Sequence, residues 1–145
     1  MSGQVADQIL ASRSSSVRWL QISLGEKRSA IRLSSLVRVL DRAELFSVPL
    51  LPKEFKGVIY FNERAVPILS WKEFKIEIFL NPLVLVLENG NDWVGIEVES
   101  TGKVEEYQMG SRLREDGFWV ELDSEKGIWG IDEEKLFKSL MESPI

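Results

Sequence analysis

Cysteine and histidine are both missing from the 145 residues. Without cysteine there is no disulfide, no thiolate metal ligand and no thiol nucleophile. Without histidine the chain lacks the commonest general base and the commonest transition-metal ligand, so Ser-His-Asp chemistry and zinc hydrolysis are excluded. There is no Walker lysine motif and no dinucleotide glycine fingerprint. Positive charge is in short supply: 18 Lys and Arg face 23 Asp and Glu, a net charge of −5 that disfavours nucleic acid as a partner. Long apolar runs are also missing. The longest, Leu83 to Leu87, falls far short of a membrane span, and Met1 to Ser16 has neither a basic start nor an apolar run of signal-peptide length. A cytoplasmic protein is expected, with no cofactor, no metal and no membrane insertion.

What remains is a chain of ordinary apolar content, 44%, with five Trp and seven Phe to build a core. Charge is uneven: the first fifty residues carry seven basic and four acidic side chains, and the rest are strongly acidic. That pattern reads as solvated strand faces. Residues 1–16 read as a flexible, serine-rich tail. Trp19 to Leu24, the turn Gly25-Glu26-Lys27 and Ala30 to Leu33 form a hairpin. Ser34-Ser35 makes a single helical turn before a third strand over Leu36 to Leu40. Pro49 and Pro52 bracket an extended segment that suits neither a central strand nor a helix. Gly57 to Phe61 and Ala65 to Trp71 pair around Asn62-Glu63-Arg64, and Pro67 predicts an edge position or a bulge for the second of them. After the break at Asn81-Pro82, Leu83 to Leu87 and Trp93 to Val98 form another hairpin. Val104 and Tyr107 mark a further strand, Gln108 to Asp116 a polar loop, and Phe118 to Leu122 with Ile128 to Ile131 the last strand pair. Asp132 caps a C-terminal helix with Glu133 and Glu134 in its first turn and an apolar stripe of Leu136, Phe137, Leu140 and Met141. The helix is expected to plug or cover an open barrel end.

The two halves echo each other. Ala30 to Ser35 aligns with Gly95 to Ser100, and Val39 with Val104, at an offset of 65. Gly57 to Tyr60 aligns with Gly117 to Val120, and Ile68-Leu69 with Ile128-Trp129, at an offset of 60. We read a structural repeat dividing the chain at Asn81-Pro82: one domain over 17–145, with subdomain 1 at about 17–80 and subdomain 2 at about 81–145. Each half closes as a small barrel of five short strands, which removes most exposed edges.

Residues across nearly the whole chain resemble the CheW-like domain family of bacterial chemotaxis, as a divergent member. Leu20 to Glu26 resembles its opening strand and turn, and Val48-Pro49-Leu50-Leu51-Pro52 its proline loop. Phe55 to Ile59 followed by Val66 to Leu69 is the most diagnostic stretch. Val94 to Val98 resembles the hairpin of the second barrel, and Asp132 to Leu136 its ending. The resemblance implies a mainly β fold: two SH3-like five-stranded β-barrels with a shared core and a C-terminal helix. It implies a non-enzymatic signalling adaptor that couples a chemoreceptor cytoplasmic tip to a histidine kinase regulatory domain. The chain departs from the family pattern where the turn after the Gly-Val-Ile strand carries Asn62 and Glu63 instead of Arg and Gly. Arg64 is a neighbour on the other face of a regular strand. Ser70-Trp71 replaces the family's Asp-Leu, and Glu99 replaces an Asp.

Carboxylate pairs are the one catalytic route left. Glu97 and Glu99 share a strand face with Glu105 nearby, so a carboxylate hydrolase or a sugar-binding β-barrel module is the alternative reading. A wet acidic strand face explains the same pattern. Asp92, Glu97 and Glu99 lack the spacing of a hard-cation loop. The five Trp also suit a stacking platform for single strands, which the net acidity opposes. Gly25, Gly57, Gly95 and Gly117 read as close-packing or bulge positions. The partner surface is expected around Leu36, Val39, Gly57, Val58, Ile59 and Asn62 of the first half and Val98, Glu99 and Val104 of the second, lining a groove between barrels. Gly57 is expected where the backbone approaches the second barrel or a partner.

Overall fold

The computed structural model describes residues 16–74, 76, 79–108 and 114–141. The serine-rich start, the middle of the polar loop before Arg114 and the last four residues lie outside this range. Among the described residues eleven strands run β1 (Ser16–Leu24), β2 (Lys27–Arg32), β3 (Leu36–Asp41), β4 (Phe55–Phe61), β5 (Arg64–Leu69), β6 (Leu83–Asn89), β7 (Asp92–Val98), β8 (Ser100–Gln108), β9 (Glu115–Asp116), β10 (Trp119–Asp123) and β11 (Ile128–Ile131). The helix α1 spans Glu133–Met141, and a 3-10 turn at Leu33–Ser35 supplies the single helical turn expected of Ser34-Ser35. The protein is thus mainly β with a C-terminal helix.

The strands form two mixed sheets, ordered β8-β1-β2-β11-β10-β9 and β3-β6-β7-β5-β4. Among the described residues the ladders leave both sheets open, where closed barrels were expected. The sheets do not follow the halves of the sequence. The β1–β2 hairpin joins strands of the second half, and β6–β7 joins strands of the first. Exchanging β1, β2, β3, β4 and β5 with β6, β7, β8, β10 and β11 converts one sheet order into the other, with only the two-residue β9 left without a counterpart strand among the described residues. Register carries the repeat to single residues. Leu20 faces Ile31 and Val104, and Leu85 faces Ile96 and Val39, which is the offset of 65. In the parallel pairs Ala30 faces Gly130 and Gly95 faces Ile68, so β5 and β11 are related by 62, not 60. Counting from Gly57 and Gly117 misplaced these strands because Gly117 sits in a turn at φ 60 and not in a strand.

Strand alternation sends one face of each sheet to a common core. Leu20, Ile22, Leu24 and Ile31 of one sheet meet Leu85, Leu87, Ile96 and Val98 of the other, with Leu136 and Phe137 of α1 between them. The helix therefore seals this shared core, where it was expected to plug or cover an open barrel end. Asp132 caps it as expected, its Oδ1 accepting the Lys135 N–H at 3.2 Å. The opposite faces hold smaller cores: Ile59, Val66, Ile68, Val84 and Val86 in one sheet, Trp19, Ala30, Val120 and Ile128 in the other.

The repeat shows volume exchange at equivalent positions. Trp19 stands where the other sheet has Val84, and Gly130 stands where it has Ile68. A Cβ on Gly130 would lie 2.6 Å from the Trp19 ring. Conversely, Gly95 replaces Ala30 because the Ile68 side chain occupies its Cβ position. Each sheet fills its interior with one large and one missing side chain. Pro67 was expected on an edge or at a bulge; β5 is flanked by β4 and β7, and the register irregularity of the β4–β5 pair falls on β4, between Phe55 and Gly57. The parallel ladder of β5 to β7 consists of the single pair Ile68–Gly95, which leaves Pro67 outside it.

Candidate functional site

The β4–β5 hairpin turns on Asn62 and Glu63, with φ of 50° and 62°. Positive φ at both central residues is the two-residue turn whose twist matches paired strands. Asn tolerates it; Glu has no such licence. The next residue, Arg64, donates to the Asn91 carbonyl at 2.7 Å and lies 3.8 Å over the Trp93 ring. Trp93 Nε1 in turn donates to Glu88 at 2.7 Å, so the tips of two hairpins are tied together.

Several residues expected at a partner surface are instead core. Val58, Ile59 and Val98 are buried, and Leu36 is half-buried against the shared core. Gly57 is buried too, and the surface that approaches it is the chain's own. A Cβ there would lie 2.6 Å from the Phe46 carbonyl oxygen and 3.0 Å from Leu45. Val39, Asn62, Glu99 and Val104 are exposed. Val39 and Val104 hold equivalent places on β3 and β8, the outer strands of the two sheets. The Glu99 N–H is spent on the Ser23 carbonyl at 2.8 Å.

What Gly57 admits is an irregular segment running from Arg42 to Pro52 along the free edge of β4. It is fastened by a reciprocal pair of backbone bonds, Phe46 N–H to Val58 O at 2.8 Å and Val58 N–H to Phe46 O at 2.9 Å. Farther on, the Phe55 N–H donates to Pro52 O at 2.9 Å. The segment covers an otherwise unpaired strand edge. It also turns its apolar side chains outward. Leu45, Phe46 and Val48 are about two-fifths exposed, Tyr60 of β4 is 65% exposed, and Leu50 is 97% exposed. Phe46 and Tyr60 meet edge to face at 5.4 Å. Leu50 adopts φ 62°, an unfavourable conformation for a side chain with a Cβ. Beside this patch lies an open cleft of about 460 Å³ between Arg42, Phe46, Ile59 and Tyr60. The signal was present in the sequence: an apolar run in a proline-bracketed segment that cannot enter a sheet has no core to join.

The acidic residues singled out for catalysis are dispersed. Glu97 binds Lys56 at 2.6 Å, and Glu99 is exposed. Glu105 belongs to a different cluster, accepting from Lys103 at 2.6 Å, Tyr107 at 2.9 Å and Gln21 at 3.3 Å. The hydrogen bonds from Lys103 and Tyr107 hold its carboxyl below the ordinary glutamate range, and burial pushes the Tyr107 phenol up. Among the described residues no three Asp or Glu gather as a metal site. Trp19 and Trp71 are buried, and Trp71 stacks with Trp119 at 6.5 Å, so these rings serve packing and not an open platform. No described helix is long and apolar enough to cross a membrane.

No family model and no curated protein matches the sequence. Fifteen solved chains match the structure. Among them is the crystal structure of the scaffolding protein TtCheW from Thermoanaerobacter tengcongensis, at 15% identity and a TM-score of 0.63, covering 79% of this chain and 88% of that one. The two share a fold.

Proposed function

We propose that this protein is a non-enzymatic, cytoplasmic signalling adaptor that couples a chemoreceptor cytoplasmic tip to a histidine kinase regulatory domain by protein–protein contacts. In this reading residues 17–145 form one CheW-like domain, and the two mixed sheets are its two SH3-like units. The observation that carries the proposal is Leu50. A fully exposed leucine in a left-handed conformation costs the fold conformational energy and returns no packing. It is set among Phe46, Val48 and Tyr60, the kind of apolar surface that marks a protein contact. The fold shared with a scaffolding protein supports the same reading. Asn62 and Glu63 at the hairpin tip make the receptor contact the weaker of the two, because the Arg of the family pattern is absent there and Arg64 is engaged by Asn91. Calorimetric titration of the full chain against a kinase regulatory domain, and separately against a receptor-tip fragment, tests the proposal. Saturable binding to the kinase domain is expected, with weaker binding to the tip. Binding to neither overturns it.

A further inference from the structure

The internal repeat shows how a cavity arises in the sheet built on β1 and β2. In the sheet built on β6 and β7, Val37, Val86 and Trp93 pack with Val66 on the face opposite the shared core. The offsets of 65 and 62 place Gly102, Gln21, Arg28 and Ile128 at the equivalent positions of the other sheet. Both sheets carry the same irregularity, between Leu36 and Arg38 on β3 and opposite Leu20 and Ile22 on β8, so the equivalence survives the bulge. Three apolar fillers have thus become a glycine, an amide and a guanidinium. The result is a cavity of about 240 Å³ lined by Gln21, Ser23, Arg28, Ser100, Gly102 and Ile128. At about 30 Å³ per water this is room for roughly eight waters, or for one small organic molecule.

Its chemistry is specific. Ile128 is a buried apolar wall. Gln21 is fixed by donating to Tyr107 OH at 3.1 Å and to Glu105 at 3.3 Å. Glu105 is the nearby negative charge, and Lys103 binds it at 2.6 Å. Arg28 is exposed at the mouth and spends one donor, at a long 3.5 Å, on the Lys126 carbonyl. The other donors of its planar fork match a carboxylate. We infer that this cavity is a binding site for a small organic carboxylate, with the carboxylate on Arg28 and the aliphatic part against Ile128.

The inference is independent of the adaptor reading, since the cavity lies in the other sheet from the apolar segment. It is tested on the full chain by amide chemical shifts during titration with butyrate, with butyramide as the uncharged isostere. Butyrate is expected to move the signals of Gln21, Arg28 and Gly102 saturably, and butyramide to bind at least about tenfold more weakly, the loss of one charge-assisted contact. Gly102→Val restores the filler found at Val37 and is expected to abolish the response. Its Cβ would lie 3.3 Å from that of Gln21, a contact relieved by a small shift. Arg28→Gln, on the surface, is expected to bring butyrate down to the level of butyramide. Absence of a saturable response, equal binding of the isostere, or a response unchanged in Arg28→Gln or in folded Gly102→Val overturns the inference.

Discussion

Four residues, Arg42, Leu50, Asn62 and Glu63, hold left-handed backbone conformations without the glycine that such positions favour, and two of them, Glu63 and Leu50, separate fold from function. Glu63 closes the β4–β5 turn at φ 62° and is exposed. Glu63→Gly is expected to stabilise the protein by about 1 kcal/mol, strain relief exceeding the entropy cost of glycine. Chemical denaturation measures this as a higher midpoint with an unchanged slope. The turn was legible in Asn62-Glu63; that both residues would be left-handed was not, because Glu carries no signal for that conformation. Gly57 was legible as a close-approach position for the same reason that any glycine opening an apolar strand is: it needs a neighbour to justify it. Which neighbour could not be read, since Leu45 and Phe46 lie eleven or more residues away in a segment without periodicity. Gly57→Ala is expected to cost about 1–3 kcal/mol, because the obstructing atom is a backbone oxygen that cannot rotate away. Amide exchange at Phe46 and Val58 should rise selectively as their paired bonds open.

At the scale of elements, hairpins were the readable unit and sheets were not. Alternation and turn residues located β1–β2, β4–β5, β6–β7 and β10–β11, but periodicity says nothing about which hairpin joins which sheet. The interior exchange of Trp19 with Gly130 against Val84 with Ile68 is invisible until the parallel register is known. It makes a definite prediction. Gly130→Ala is expected to destabilise by about 1–3 kcal/mol, and to cost at least about 1 kcal/mol less when Trp19→Val is already present. Additive effects in the double-mutant cycle would contradict the packing argument. The outer strand β8 has its own pH signature. The hydrogen bonds to Glu105 lower its pKa in the folded protein, so their contribution is present above the ordinary value of 4.5 and is lost as pH falls through the folded value. Amide exchange in β8 should therefore accelerate on acidification more in the natural protein than in Glu105→Gln.

The whole molecule is expected to unfold as one cooperative unit, because each sheet takes a hairpin from the other half of the chain and α1 seals the core between them. The fragment covering residues 81–145 is expected to be unfolded alone by circular dichroism, and to gain structure when mixed with residues 16–80. The repeat itself was legible in Ala30 to Val39 against Gly95 to Val104, where two successive strands keep one offset. The candidate partner surface was legible only as a proline-bracketed loop, because exposure of Leu45, Phe46, Val48 and Leu50 follows from where the loop lands on β4. The central claim is that this loop holds its apolar residues outward for a partner and not for the fold. Leu50→Gly separates the two, since it removes both the strained conformation and the exposed side chain. The decisive measurement is calorimetric titration of a kinase regulatory domain with natural and Leu50→Gly protein, accompanied by thermal unfolding of each. The account predicts a variant at least as stable as the natural protein that binds at least about tenfold more weakly. Unchanged affinity in a folded Leu50→Gly protein would contradict it.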